Sequence, residues 1–471
     1  MGLAQAYYTS CDVGLSDFAG FQFNAATPGL SPRVLSEVEA LTSYEPPRSL
    51  GYRPDPAEIA ACPVNLVYHC APTTVLANVV YVGLDSSRRL GNYFAHALIS
   101  DSGPGGLGAT LPIELWGSPV WVGEPIEDGE LPELDAVPAV PTMNPETIEE
   151  FLAGQRRAAQ LAVLVTAAED AVLRQGRPIV VIEPDTARTA GWIGAVSYLL
   201  PVAVTRRMSF ATYRHRPEYS DAHIIGTLPD ADFDLGDGLP GYVVFEPESG
   251  RISDLDAHPA AALLVRAGTV QAGRLWTTAR DVVAGPAPAS LAAGYPALVI
   301  AALLTGTPVT GGDLDALGAW VVAHPADVDP GRRHDLAAVW LEHPARGPQH
   351  LRALAALVDE TGGGLLSRIE QAAVVAELAG LGAIDTGVRP TTPTGRAVAG
   401  EHAVALAPTL SAEDAAALLT WSTERGVELP DDVRRHLTVQ AETLAAEATA
   451  PAEATAPEKT RSTSWWRRCL R

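Results

Sequence analysis

The chain has 471 residues, 47% hydrophobic and 19% charged, enough for two to four domains with buried cores. Its formal net charge of −23 repels phosphate backbones, so nucleic acid is excluded as an expected partner. Lys459 is its sole lysine, which excludes from the body both a phosphate loop ending in Gly-Lys-Ser/Thr and a lysine Schiff base.

Residues 1–140 alternate short apolar runs with turn signals. "AYYTSC", "VNLVYHC", "TVLANVVYVGL" and "IELWGSPVWVG" read as strands. "SPRVLSEVEALTSY" reads as a helix with Ser31 as N-cap, Pro32 in the first turn and Val34, Leu35, Val38 and Leu41 on one face. This predicts an N-terminal α+β domain.

A proline-rich joint follows at 128–147. Residues 141–254 then alternate helix and strand, which predicts a small α/β middle domain. "PETIEEFLAGQRRAAQLAVLVTAAEDAVLRQG" is one or two helices stopped at Gly176. "PIVVIE" is a buried strand. "PDTARTAGWIGAVSYLL" is a helix capped by Asp185 or Thr186 and ended before Pro201. "RMSFATY" and "AHIIGTL" are further strands.

Residues 255–440 become Ala/Leu segments of helical period, an all-α C-terminal domain. "SLAAGYPALVIAALLTGTPVTGG" has an apolar heart shorter than a membrane span and reads as a buried helix. Residues 441–471 are low-complexity and predict a flexible tail. Within it, Trp465, Trp466, Arg467 and Arg468 offer a peripheral membrane contact or a grip on an acidic protein groove.

Most motif matches fail on context. "GPGGLG" at 103–108 is followed by Pro112 rather than by a helix, so a loop is expected. "DADFDLGDG" puts Leu235 and Gly241 where a calcium loop needs Gly and Glu, so it reads as an acidic turn. There is no G-x-S-x-G elbow, and Ser197 lies inside a predicted helix. Cys11, Cys62, Cys70 and Cys469 have neither zinc spacing nor a disulfide pattern. No metal and no cofactor are expected. The start "MGLAQAYYTSC" lacks the basic and apolar regions of a signal peptide, and a cytoplasmic location is expected.

Two segments remain as candidate sites. "ANVVYVGLD" and "NYFAHALIS" flank "SSRRLG". As a hairpin, the turn carries Arg88 and Arg89, Gly91 takes positive φ, and Asn92, Phe94, His96 and Leu98 share a face. With a helical second flank, Asn92 and His96 sit one turn apart. Either geometry is taken to make them neighbours. Tyr81, Arg88, Arg89, Asn92 and His96 are then a polar cluster for a partner or ligand, or an Asn–His hydrogen bond that holds the turn. The helix start at Asp185, Thr186 and Arg188 is either an anion site or ordinary capping.

Several stretches together, "YYTSC" with "GFQFNAATPGL", "ALTSYEPPRSLGYRPDPAEIAACPVNLVYH", "YVGLDSSRRLGNYFAHALI", "PIELWGSPVW" and "AVSYLLP…MSFATY", resemble the GTPase-associated protein 1 family of actinobacteria and other bacteria over residues 4–230. The resemblance implies a partner GTPase encoded nearby, in a signalling or conflict system, and supplies no catalytic residues. It also suggests a use for the Arg88–His96 segment as a surface read by that partner. The expectation is a non-enzymatic adaptor. The alternatives are an enzyme with a pocket around Arg88, Asn92 and His96, and a scaffold tethered through its tail.

Overall fold

The computed structural model describes residues 2–16, 18–85, 87–127, 129–137, 142–154, 158–231, 233, 241–358 and 363–449. They cluster into two compact units that divide between Trp340 and Leu341. The tail positions Trp465 to Arg468, and most of the acidic turn at 230–238, lie outside the described residues.

In the first unit the described residues form one ten-stranded mixed sheet. Its first half is antiparallel: β1 (Ala4–Cys11), β2 (Gly20–Ala26), β3 (Asn65–His69), β4 (Thr74–Leu84) and β5 (Leu90–Ser100), in the spatial order β3-β4-β5-β1-β2. The second half contains β6 (Ile179–Ile182), β7 (Phe210–Ala211), β8 (Ile224–Thr227), β9 (Val243–Glu246) and β10 (Arg251–Ile252). β6 is parallel to both β8 and β9, and β7 is parallel to β8. β6 and β8 are buried along their whole length, as a parallel core covered on both faces requires. The halves join where β3 pairs with β7, Val67 opposite Ala211 and Tyr68 opposite Phe210.

Helix α1 (Pro32–Thr42) starts as its sequence dictates, with the Ser31 hydroxyl accepting from the Val34 amide. Its Val38 packs on Ala6, Val67, Ala77 and Ala97 of the sheet. The short α2 (Pro56–Ala60) carries an Asp55/Glu58 capping box. Helices α3 (Pro145–Ala153), α4 (Ala158–Arg174), α5 (Thr186–Leu199) and α6 (Val202–Thr205) belong to the α/β half. α5 is buried nearly all round, and two glycines let α3 close on it. A Cβ on Gly191 would come within 2.9 Å of the Phe151 ring, and one on Gly194 within 2.6 Å of Ile148. Helices α7 (Pro259–Ala267), α8 (Thr269–Val282), α9 (Leu291–Thr305), α10 (Gly311–Ala323) and α11 (Pro330–Leu341) follow. α9 is the buried Ala/Leu segment and holds Pro296 inside its length. Among the described residues no helix is long and apolar enough to cross a membrane.

The second unit packs α12 (Leu351–Leu357), α13 (Gly363–Ala379), α14 (Pro393–Leu406), α15 (Ala412–Arg425) and α16 (Asp431–Thr449). Val374, Leu378, Ala399, Ala403, Leu418, Trp421 and Leu437 form its core. A buried carboxylate clasps α13 to α15. Glu377 accepts from Arg425 Nε and Nη2 at 2.9 and 2.8 Å, from Trp421 Nε1 at 2.6 Å and from the Thr386 amide at 2.8 Å. Burial alone would raise the Glu377 pKa, but these donors outweigh it and hold the pKa below the usual carboxylate value.

The chain is a mixed α and β protein, with a strand-rich N-terminal part, an α/β middle and a helical C-terminal part, as its periodicities predict. Several local expectations need correction. "IELWGSPVWVG" is not a strand: Pro112–Leu115 is a 3-10 turn, and Gly117 at φ 66° leads into loop. Its Ile113 and Leu115 are buried by packing, not by pairing. "GFQFNAA" is also a strand, paired with β1. "RMSFATY" pairs over only two residues. The stop after α4 comes at Gln175, which takes φ 52°, and not at Gly176.

Candidate functional site

The Tyr81–Ile99 segment is a hairpin, with Leu84 opposite Leu90 at its tip. Asp85 closes the turn: its Oδ1 accepts the Arg89 amide at 2.7 Å and its Oδ2 accepts Arg89 Nε at 2.9 Å. Those hydrogen bonds, the amide's foremost, hold the Asp85 pKa below its usual value. Gly91 has φ 118°, as expected for this turn. Arg88 also takes positive φ, at 61°, a left-handed backbone that costs a residue with a Cβ about 1 kcal/mol. The sequence pattern did not show that.

Asn92 and His96 share a face of β5 but are not neighbours. Four residues along a strand span roughly 13 Å, and Phe94 lies between them. The expected Asn–His hydrogen bond is absent, because each residue bonds elsewhere. Asn92 Oδ1 accepts from the Thr9 hydroxyl at 3.1 Å and the Ser10 amide at 3.0 Å, and its amide nitrogen donates to the Ser10 carbonyl. It ties β5 to β1. The His96 ring bridges Gln5 Oε1 at 3.0 Å and the Val122 amide at 3.1 Å. Tyr7 and Trp121 meet it edge-on. Burial pushes its pKa down to about 4, so the ring is neutral. Since the Val122 N–H donates to Nδ1, the proton sits on Nε2 and points to Gln5.

Tyr81 is buried among Tyr44, Tyr93 and Tyr213 on the opposite face. The five residues expected as one cluster therefore separate into two sets. Tyr81, Asn92 and His96 are buried, with Asn92 and His96 bonded inside the sheet, while Arg88 and Arg89 stand exposed on the turn.

At the start of α5, Asp185 is the N-cap and accepts the Arg188 amide at 2.9 Å. Arg188 Nε lies 2.9 Å from Glu183, which is fully buried and also accepts Trp192 Nε1 at 2.6 Å. Burial raises the Glu183 pKa against the pull of the Trp192 hydrogen bond and the Arg188 charge. Thr186 is buried. The positive end of α5 thus already faces a carboxylate of the chain's own.

Sequence spacing also could not show which distant groups meet at the far end of β3. His223 Nδ1 accepts the Ser209 amide at 3.0 Å and lies 2.7 Å from the Ser209 hydroxyl. Ser209 is buried at 2% exposure, so no substrate reaches it as a nucleophile. Cys70 and His223 line a neighbouring cavity of about 810 Å³ with Arg207. Burial raises the Cys70 thiol pKa, which leaves it unactivated. A second cavity, about 290 Å³, lies against α1 and is lined by Arg214. The Arg214 guanidinium donates to the carbonyls of Ser43 at 2.7 Å and Leu41 at 2.5 Å and so closes the carboxyl end of α1.

Residues 2–137 match the family described as GTPase-associated protein 1, N-terminal domain type 2. Residues 148–249 match its middle domain. Two curated relatives, from two strains of Mycolicibacterium smegmatis, carry the name "Putative ESX-1 scaffolding and assembly protein SaeB". Each is 29% identical over 230 aligned residues, which cover 44% of this chain and 26% of the relative. The chain thus matches about a quarter of the length of those proteins.

Proposed function

From the premise that the chain belongs to the GTPase-associated protein 1 family through its N-terminal and middle domains, we propose that it is a non-enzymatic adaptor for a GTPase encoded nearby. The observation that carries this reading is the pair of family domains, adjacent in the chain and sharing one continuous sheet. The candidate polar residues add support: Asn92, His96, Asp185 and Arg188 spend their hydrogen bonds and charge inside the fold. In this reading they build a rigid platform, and Arg88 and Arg89 on the exposed turn face the partner. A scaffold role, as in the name of the mycolicibacterial relatives, is consistent with it.

The test is reconstitution. The purified chain and the GTPase encoded beside its gene are mixed, and complex formation is followed by size-exclusion chromatography with light scattering. A stoichiometric complex is expected. The reading falls if the two proteins elute independently, or if the purified chain alone turns over a substrate and loses that turnover with one side-chain change.

A further inference from the structure

The register places two hairpin tips at one end of the sheet. Thr9 lies opposite Phe94, and Asn92 bonds the Ser10 backbone, so the β1–β2 turn emerges beside the β4–β5 turn. This end is unusually apolar. Fourteen large hydrophobic side chains stand exposed among the described residues. Seven of them, Val13, Leu15, Phe18, Phe21, Val82, Leu84 and Leu90, lie on these two turns or the strand ends that carry them. Val13 is 78% exposed and Phe18 61%. Phe21 rests partly on the Tyr93 ring, at 4.9 Å between centroids, but the cluster in which Val80 and Phe94 meet Val122 and Ile126 leaves Val82 and Leu84 outside. Such concentration marks an interaction surface rather than scattered exposure.

Resting on the adaptor reading, we infer that the paired hairpin tips are the docking element for the GTPase, inserting into a concave apolar cleft rimmed by carboxylate. Charge selects this occupant. Arg89 is neutralised by Asp85 at 2.9 Å, whereas Arg88 has no ion pair among the described residues and stands exposed between the apolar side chains. A guanidinium with no ion pair among the described residues suits one partner carboxylate. It is too little for an anionic bilayer, which takes a cluster of basic residues. A two-fold contact between copies would bring chains of net charge −23 together. The tips are convex, so the matching surface is concave.

Three variants of the full chain test this by calorimetric titration against the GTPase encoded beside its gene. F18S/L84S removes the apolar contacts. Arg88→Gly removes the guanidinium while suiting the left-handed backbone, so the fold keeps its stability. Val202→Ser alters an exposed apolar residue on α6 as a control. Circular dichroism melts confirm that all three are folded. The first two are expected to weaken binding at least tenfold and the control less than twofold. Unchanged affinity in F18S/L84S and Arg88→Gly, with the wild type binding, overturns the docking surface and leaves the adaptor reading intact. A wild type that does not bind overturns both. The docking surface also falls if the tip variants instead abolish a dimer of this chain or flotation with phosphatidylserine vesicles.

Discussion

His96 is a buried neutral imidazole whose stability contribution depends on pH. Its folded pKa is about 4, and the unfolded value is about 6.5. Between these values the unfolded chain binds a proton that the folded chain does not, so stability falls as pH drops from about 6.5 towards 4. No charged side chain accounts for the shift, since Gln5, Tyr7, Trp121 and the Val122 amide surround the ring and burial is its cause. The full effect is about 3 kcal/mol. Urea denaturation at pH 7.5 and 5 should show about 2 kcal/mol of this loss in the wild type and a smaller one in His96→Gln. Burial also lowers the pKa of His223 and His258, so a residual slope of the same sign remains. An equal slope in both proteins would remove His96 from the account. Asn92 invites a second measurement. Asn92→Ala deletes three hydrogen bonds to β1 and strands the Ser10 amide, an expected cost of about 2–3 kcal/mol. Arg88→Ala, on the exposed turn, should stay within about 0.5 kcal/mol by the same melts.

Elements are held by a few contacts that tolerate no added atom. On β8, a Cβ at Gly226 would lie 2.2 Å from the Thr212 carbonyl oxygen. That neighbour is backbone and cannot rotate away, so the strand itself must move. Gly226→Ala should cost about 3 kcal/mol or fail to give folded protein, as read by soluble yield and melting. In the helical unit the weak point is electrostatic. Arg425→Ala leaves the Glu377 carboxylate, 1% exposed, without its guanidinium, an expected loss of about 3–5 kcal/mol. Glu377 has a depressed folded pKa, so its contribution is present above the unfolded value of about 4.3 and lost as pH falls through the folded one. The acid limb of the helical unit should therefore be shallower in Arg425→Ala. Much of the element level was legible beforehand. The Ser31 cap, the two helices after Pro145, the buried "PIVVIE" strand and the all-round apolar α9 each announce themselves by spacing or composition. "PIELW" misled because burial of Ile113 and Leu115 in a 3-10 turn produces the same alternation as a strand.

At the scale of the whole molecule, two compact units should unfold as two calorimetric transitions. Arg425→Ala is expected to lower one and His96→Gln at low pH to shift the other; a single transition moved by both would argue for one cooperative unit. The sequence by itself determined what this chain is not, namely a lysine-dependent phosphate-loop enzyme, because that conclusion needs only an inventory of residue types. It also determined the succession of α+β, α/β and helical parts, because period and capping are local properties of the chain. Only the tertiary structure decided that Asn92 and His96 serve different partners, that Arg188 is matched by Glu183, and that two turns some seventy residues apart stand side by side. Those facts depend on strand register and on which distant segments pair, and register is fixed by the summed packing of the whole sheet rather than by any stretch within it.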